Sequence, residues 1–128
     1  MISREDIESF LIRSDLDSEE IEQGLWVVHS ASGEAEPPIA VSYSPPLLVM
    51  RSRLMTAPDD DEGQLKTFKR LLQMNATELI HGSYGLEDGE VILTDALELE
   101  NLDYSEFLAS IESLSLAVSS YLHALQTD

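Results

Sequence analysis

Apolar residues in the last quarter of the chain recur with the period of a helix. Phe107, Leu108, Ile111, Leu114, Val118, Tyr121, Leu122 and Leu125 trace one face for about five turns. Asp103 and Glu106 have capping-box spacing at its start. A shorter stripe of Ile7, Phe10 and Leu11 predicts a first helix, with the Ser3 hydroxyl as cap and Asp6 at the positive end of the dipole. A second helix is expected over residues 64–74, burying Leu65, Phe68, Leu71 and Leu72. Asp59 to Glu62 lead it, Lys66, Lys69 and Arg70 lie further along, and Asn75 would leave it in a left-handed conformation.

Between these helices the period changes. GLWVVHS (24–30), IAVSYS (39–44) and LLVMRSRLM (47–55) are rich in β-branched and aromatic residues and predict three strands. Residues 32–38 form a loop, and Pro45-Pro46 stops the second strand because proline has no ladder donor. Residues 14–23, largely acidic, look like a solvated connection. Two more strands are expected over 79–86 and 90–97. The order is α-β-β-β-α-β-β-α, an α+β chain read as a single domain over residues 1–128.

The most site-like stretch is HGSYGLEDGEVIL, residues 81–93. Asp88-Gly89 between two alternating runs is a strong hairpin signal, because the favoured two-residue turn needs positive φ at both positions. Such a turn pairs Leu86 with Val91, Tyr84 with Leu93 and Ile80 with Leu97 on one face; Gly85 with Ile92, Ser83 with Thr94 and His81 with Ala96 share the other. Rival chemistries fail on spacing. A calcium loop centred on Gly89 or Gly63 would put Tyr84 or Pro58 where an acid is required. A phosphate loop needs a lysine, and none follows Arg70; a nucleophile elbow around Ser83 needs glycine at His81. Gly82 and Gly85 are left over and mark a bulge or a close backbone approach.

Charge narrows the classes of partner. The net charge of −18 is uneven: all seven basic residues lie at or before Arg70, and eleven acids follow it. Residues 37–58 reverse the pattern, carrying Arg51 and Arg53 and no acid. Such a polyanion repels nucleic acid and anionic membrane, whose binding rests on lysine and arginine. No apolar run approaches the ~20 residues of a membrane helix, the N-terminus is no secretory signal, and a cytoplasmic location is expected. The chain has no cysteine, so disulfides and thiolate chemistry are excluded. His29, His81 and His123 are scattered over two strands and a helix without metal-ligand spacing, and no cofactor or metal motif is present.

Two features invite a binding role. Arg51 and Arg53 share a strand face with Leu47 and Val49, where they either pair with acids on neighbouring strands or hold a partner's carboxylates. The back of the last helix carries Ser105, Ser110, Ser113, Ser115, Ser119 and Ser120 and no base, a small surface that permits close approach. An alternative is a small-molecule-binding or hydrolytic domain using His81, Ser83 and Asp95.

The strand GLWVVHS, the pair IAVSYSPPLLVMRSRLM, the phrase FKRLLQMN and the run YGLEDGEVILTDALELENLD before a long closing helix resemble the type III secretion chaperone-like fold. Within it they are similar to the bacterial YbjN-type (sensory transduction regulator, Tir-chaperone-like) proteins. The resemblance covers the chain from about Gly24 onward. It implies a five-stranded antiparallel sheet, usually a homodimer, that binds a protein partner and performs no chemistry. Its client surface would be bordered by Ile7, Phe10, Leu11, Trp26, Val28, Val41 and Leu48. Its subunit contact would lie near Phe68, Leu71, Leu72 and Met74. The double proline would shorten an edge that otherwise accepts a client strand.

Overall fold

A computed structural model describes residues 1–29 and 36–126, the last five by their backbone only. Most of the loop expected over 32–38 therefore lies outside the described residues. Helix α1 (Arg4–Arg13) is followed by strands β1 (Asp17–Glu22), β2 (Leu25–His29), β3 (Ile39–Ser44) and β4 (Leu47–Thr56). Helix α2 (Asp61–Thr77), strands β5 (Ser83–Glu87) and β6 (Glu90–Glu98), and helix α3 (Tyr104–Gln126) complete the chain. The strands form one antiparallel sheet in the order β1-β2-β3-β4-β6-β5.

The α+β architecture is as expected, with six strands rather than five among the described residues. The added strand is β1, DSEEIE, where the sequence suggests only a solvated connection. It pairs with β2 from Asp17↔His29 to Glu22↔Leu25. Arg4 ties it to α1 through a 2.8 Å contact with Glu20, whose carboxylate also accepts from the Gly24 N–H at 2.9 Å. The double proline sits in the β3–β4 turn, between two interior strands, so it blunts no sheet edge.

Ser3 and Asp6 form a reciprocal capping box at the start of α1. The Ser3 backbone N–H, with its hydroxyl, holds the Asp6 carboxyl below its usual range. Asp60 caps α2 at Gly63, and Asp103 accepts from the Glu106 N–H at 2.8 Å to open α3. At the hairpin, Asp88 and Gly89 have φ of 51° and 78°, as the two-residue turn requires.

All three helices pack on one face of the sheet. Ile7 and Leu11 of α1, Leu71 and Met74 of α2, and Phe107, Ile111, Leu114, Val118 and Tyr121 of α3 join one core. They meet Trp26, Val28, Ile39, Val41, Leu48, Met50, Val91 and Leu93 from alternate strand positions. The expected stripe of α3 is confirmed as far as Tyr121, and the side chains of Leu122 and Leu125 lie outside the described residues.

Helix α2 runs past its expected end. Asn75 stays helical, and its amide accepts from the Tyr84 N–H at 2.7 Å and donates to the Tyr84 carbonyl at 3.1 Å. A side chain thus takes the hydrogen bonds that a neighbouring strand would make at the β5 edge. Asn75→Ala removes both and is expected to cost about 1–3 kcal/mol. Urea unfolding, with faster amide exchange at Tyr84, checks this.

Candidate partner-binding surfaces

Alternation along the strands divides the expected partner residues between two faces. Ile7, Leu11, Trp26, Val28, Val41 and Leu48 are all at most 2% exposed and belong to the core, and Leu11 and Trp26 also line a groove beside α1. Phe10 is partly buried, edge-on to Tyr104 at 5.6 Å and tilted against Phe107 at 5.5 Å. Arg51 and Arg53 point from the opposite face, so the structure does not bring them beside α1.

Among the described residues, that opposite face carries no helix. Cross-strand pairing aligns Glu19, Val27, Ala40, Arg51, Thr94 and Ser83 in one row. A second row aligns Leu25, Ser42, Val49 and Ala96. Leu25, Val27, Ala40 and Val49 are partly exposed, small or aliphatic, and lie on the three central strands β2, β3 and β4. Ile92, paired with Arg53 and Gly85, is 7% exposed yet lies outside the helix-side core. The face is acidic at the β1 edge and basic along β4. Arg51 reaches Glu87 at 3.0 Å, while Arg53 has no ion-pair partner among the described residues. With about half of each side chain in solvent, the Arg51–Glu87 pair adds little stability and is readily exchanged.

A second candidate is a groove of about 180 Å³ between α1 and the edge strand β1, lined by Glu8, Leu11, Ile12, Ser18, Glu20 and Trp26. Ile12 is 73% exposed on its rim, and the outer edge of β1 pairs with no other strand among the described residues. Sequence reasoning missed Ile12, which falls off the α1 stripe, and β1, which has no alternation of apolar and polar residues.

The outer side of α2 differs from expectation. Leu71 and Met74 are buried in the core and Phe68 packs against it, whereas Leu72 is 69% exposed. Leu65, expected to be buried, is 71% exposed. Leu65 and Leu72 are seven residues apart and therefore share a face.

The hydrolytic alternative loses its geometry. Ser83 pairs with Thr94 and shares its face, whereas Asp95, one residue on, projects to the helix-covered side opposite Met50. One Asp95 oxygen accepts from the Ala96 N–H at 2.9 Å. His81 precedes β5 rather than pairing with Ala96, and Ile80, expected opposite Leu97, is 89% exposed. His29 and His81 lie far apart in the sheet order, and His123 is outside the described side chains. No metal-ligand cluster occurs among the described residues, and no described helix is long and apolar enough to cross a membrane.

The Tyr84 ring of β5 lies 5.6 Å from the tilted Tyr121 ring of α3. Burial, reinforced by the Glu78 carboxylate, pushes the Tyr84 phenol up to about 12, and burial also raises Tyr121. A raised folded-state value gives a contribution that is intact below pH ~10 and lost as pH rises through the folded value. Absorbance titration is expected to show a phenol ionising near pH 12, with stability falling above pH ~10.

Comparison with known structures supports the fold. The chain superposes on YbjN, a putative transcription regulator from E. coli, with a TM-score of 0.68 and 12% identity; 96% of this chain and 94% of that chain are covered. It superposes on a chain of the heterodimeric ExoU-SpcU complex from the type III secretion system of Pseudomonas aeruginosa, with a TM-score of 0.67 and 17% identity, covering 89% and 93%. For the Yersinia pestis type III secretion chaperone SycH, in complex with a fragment of YscM2, the TM-score is 0.61 at 14% identity, covering 91% and 99%. No curated protein matches the sequence significantly. The CesT_Tir_1 family model matches residues 2–127, nearly the whole chain, and the protein belongs to that chaperone-like family.

Proposed function

We propose that this protein is a non-enzymatic, cytoplasmic binding module, chaperone-like or regulatory, that holds an extended or amphipathic segment of a partner protein. The observation that carries this reading is the uncovered sheet face. Leu25, Val27, Ala40 and Val49 form an aliphatic strip across β2, β3 and β4 with no helix over it among the described residues, and Arg51 and Arg53 stand beside it. An incoming segment gains apolar burial along the strip, while a carboxylate on it reaches the Arg53 guanidinium. Solved relatives in complexes, among them SycH with a fragment of YscM2, support a partner-holding role.

The α1–β1 groove favours a second placement of the same partner, because Ile12 and the open β1 edge lie together there. In either placement the buried residues Ile7, Leu11, Trp26, Val28, Val41 and Leu48 fix the shape of the surface.

The protein is further proposed to act as a single-domain homodimer through the outer face of α2. Leu65 and Leu72 make the contact and Phe68 borders it, with Leu71 and Met74 behind.

Affinity capture with tagged wild type and the folded Arg51→Glu, Arg53→Glu variant tests the partner reading. One stoichiometric partner, recovered by the wild type and lost by the variant, supports it. A partner retained equally by both removes the arginines from the contact. Light scattering of Leu72→Lys against wild type tests the dimer, and a monomeric wild type at tens of micromolar contradicts it.

A further inference from the structure

A third surface lies away from both partner sites, where the segment joining α2 to β5 meets α3. Ile80 is 89% exposed and Leu116 70% exposed. They flank a depression of about 110 Å³ lined also by Glu78, Leu79, Tyr84, Ser113, Ala117 and Ser120. The space suits one branched aliphatic side chain. Its α3 wall is built of serine and alanine, which lets another backbone approach closely. The small-residue helix back noted in the sequence is thus partly accounted for: Ser110 is fully buried in the core and Ser119 donates to Glu36 at 3.0 Å, while Ser113 and Ser120 border the depression.

The charge around the depression identifies its occupant. Glu78 lines it, and Glu112 stands one turn before Leu116 on the exposed side of α3. Neither carboxylate has an ion-pair partner among the described residues. No lysine or arginine follows Arg70 anywhere in the chain, so α3, β5 and β6 supply no countercharge of their own; the base on this side is Arg70 of α2, which faces Tyr121 and lines an adjoining depression with Glu78. We propose that the Ile80–Leu116 depression is a docking site for a cationic amphipathic segment of another protein, which inserts an aliphatic side chain while its lysines or arginines face Glu78 and Glu112. A two-fold contact centred on the depression would set these carboxylates against their own counterparts, which disfavours a second copy docked patch to patch. The site differs in face and in sign from the aliphatic strip beside Arg51 and Arg53, and its occupation is independent of that reading.

The probe is a synthetic amphipathic helix with leucine on one face and lysine on the other, titrated into the full chain and followed by amide chemical shifts. Expected are shifts centred on Glu78–Ile80 and Ser113–Ala117, weakening with salt. Affinity should fall about tenfold in Ile80→Ser, Leu116→Ser, a loss of about 1.4 kcal/mol. Both positions are exposed, so that variant keeps its fold. A peptide with glutamate in place of every lysine should not bind, and the Arg51→Glu, Arg53→Glu variant should bind the lysine peptide no more weakly than wild type. Shifts spread over the acidic surface, or affinity unchanged in Ile80→Ser, Leu116→Ser, would show only diffuse attraction to a polyanion and overturn the proposal. Concentration-dependent self-association lost in the same variant would assign the depression to a second copy and overturn it too.

Discussion

Phe107→Ala is expected to lower the unfolding free energy by about 3–5 kcal/mol, the usual cost of emptying a large aromatic site in a core. Phe107 is 0% exposed and joins α1 to α3 through its 5.5 Å ring contact with Phe10. Phe10 in turn lies against Tyr104, and the Arg13 guanidinium sits 4.0 Å over the Tyr104 ring. The cavity would open at the buried end of this series of rings, between α1 and α3. Domains of this size are commonly stable by only about 5–15 kcal/mol, so the variant should be near the limit of folding. The midpoint of urea unfolding checks it. Phe107→Leu, which keeps most of the volume, should lose distinctly less.

Gly82→Ala should be the most damaging of the single-methyl additions, at about 2–4 kcal/mol. Gly82 has φ of +83°, a left-handed conformation that costs an L-residue about 1–2 kcal/mol. A Cβ there would also lie 2.8 Å from Leu114 Cδ2 and 2.9 Å from the Thr94 carbonyl oxygen. The leucine methyl can turn aside, but the carbonyl belongs to β6 and cannot. Gly89→Ala provides the internal control: its φ is +78° and nothing lies within 4 Å of the added carbon. It bears only the conformational cost, so its urea midpoint should shift by roughly half as much or less. Equal shifts for the two variants would remove the close approach as the reason for glycine at position 82.

The contrast between these glycines shows what a local pattern conveys. The Asp88-Gly89 turn is a property of the chain within a few residues, and it sets the pairs from Ser83↔Thr94 to Leu86↔Val91 as the sequence implies. Gly82 answers to Leu114 and Thr94, which are distant in sequence, so its role emerges only with the fold. Strand β1 is a similar case. DSEEIE has one apolar residue, and only its pairing with β2 and the grip of Arg4 on Glu20 make it a strand. Asn75, a reasonable helix-ending residue by type, is retained in α2 by two hydrogen bonds to Tyr84.

The candidate surfaces follow the same division. Alternation in IAVSYS and LLVMRSRLM reveals two faces per strand but not which one the helices cover. Trp26, Val41 and Leu48 belong to the covered face and Arg51 with Arg53 to the open one, so residues that seem to form one client surface lie on both sides of the sheet. The greasiest positions are the ones the core takes. The open face carries the weaker pattern of Leu25, Val27, Ala40 and Val49, which composition alone would not single out.

The most direct measurement is the affinity of the captured partner for wild type and for Ala40→Glu, by calorimetry. Ala40 lies at the centre of the open strip and pairs across the strands with Arg51, so a glutamate there can meet that guanidinium and leave the fold intact. A partner lying on the strip predicts a loss of at least about tenfold, with unfolding behaviour unchanged. Equal affinity for the two proteins would contradict it and place the partner elsewhere on the molecule.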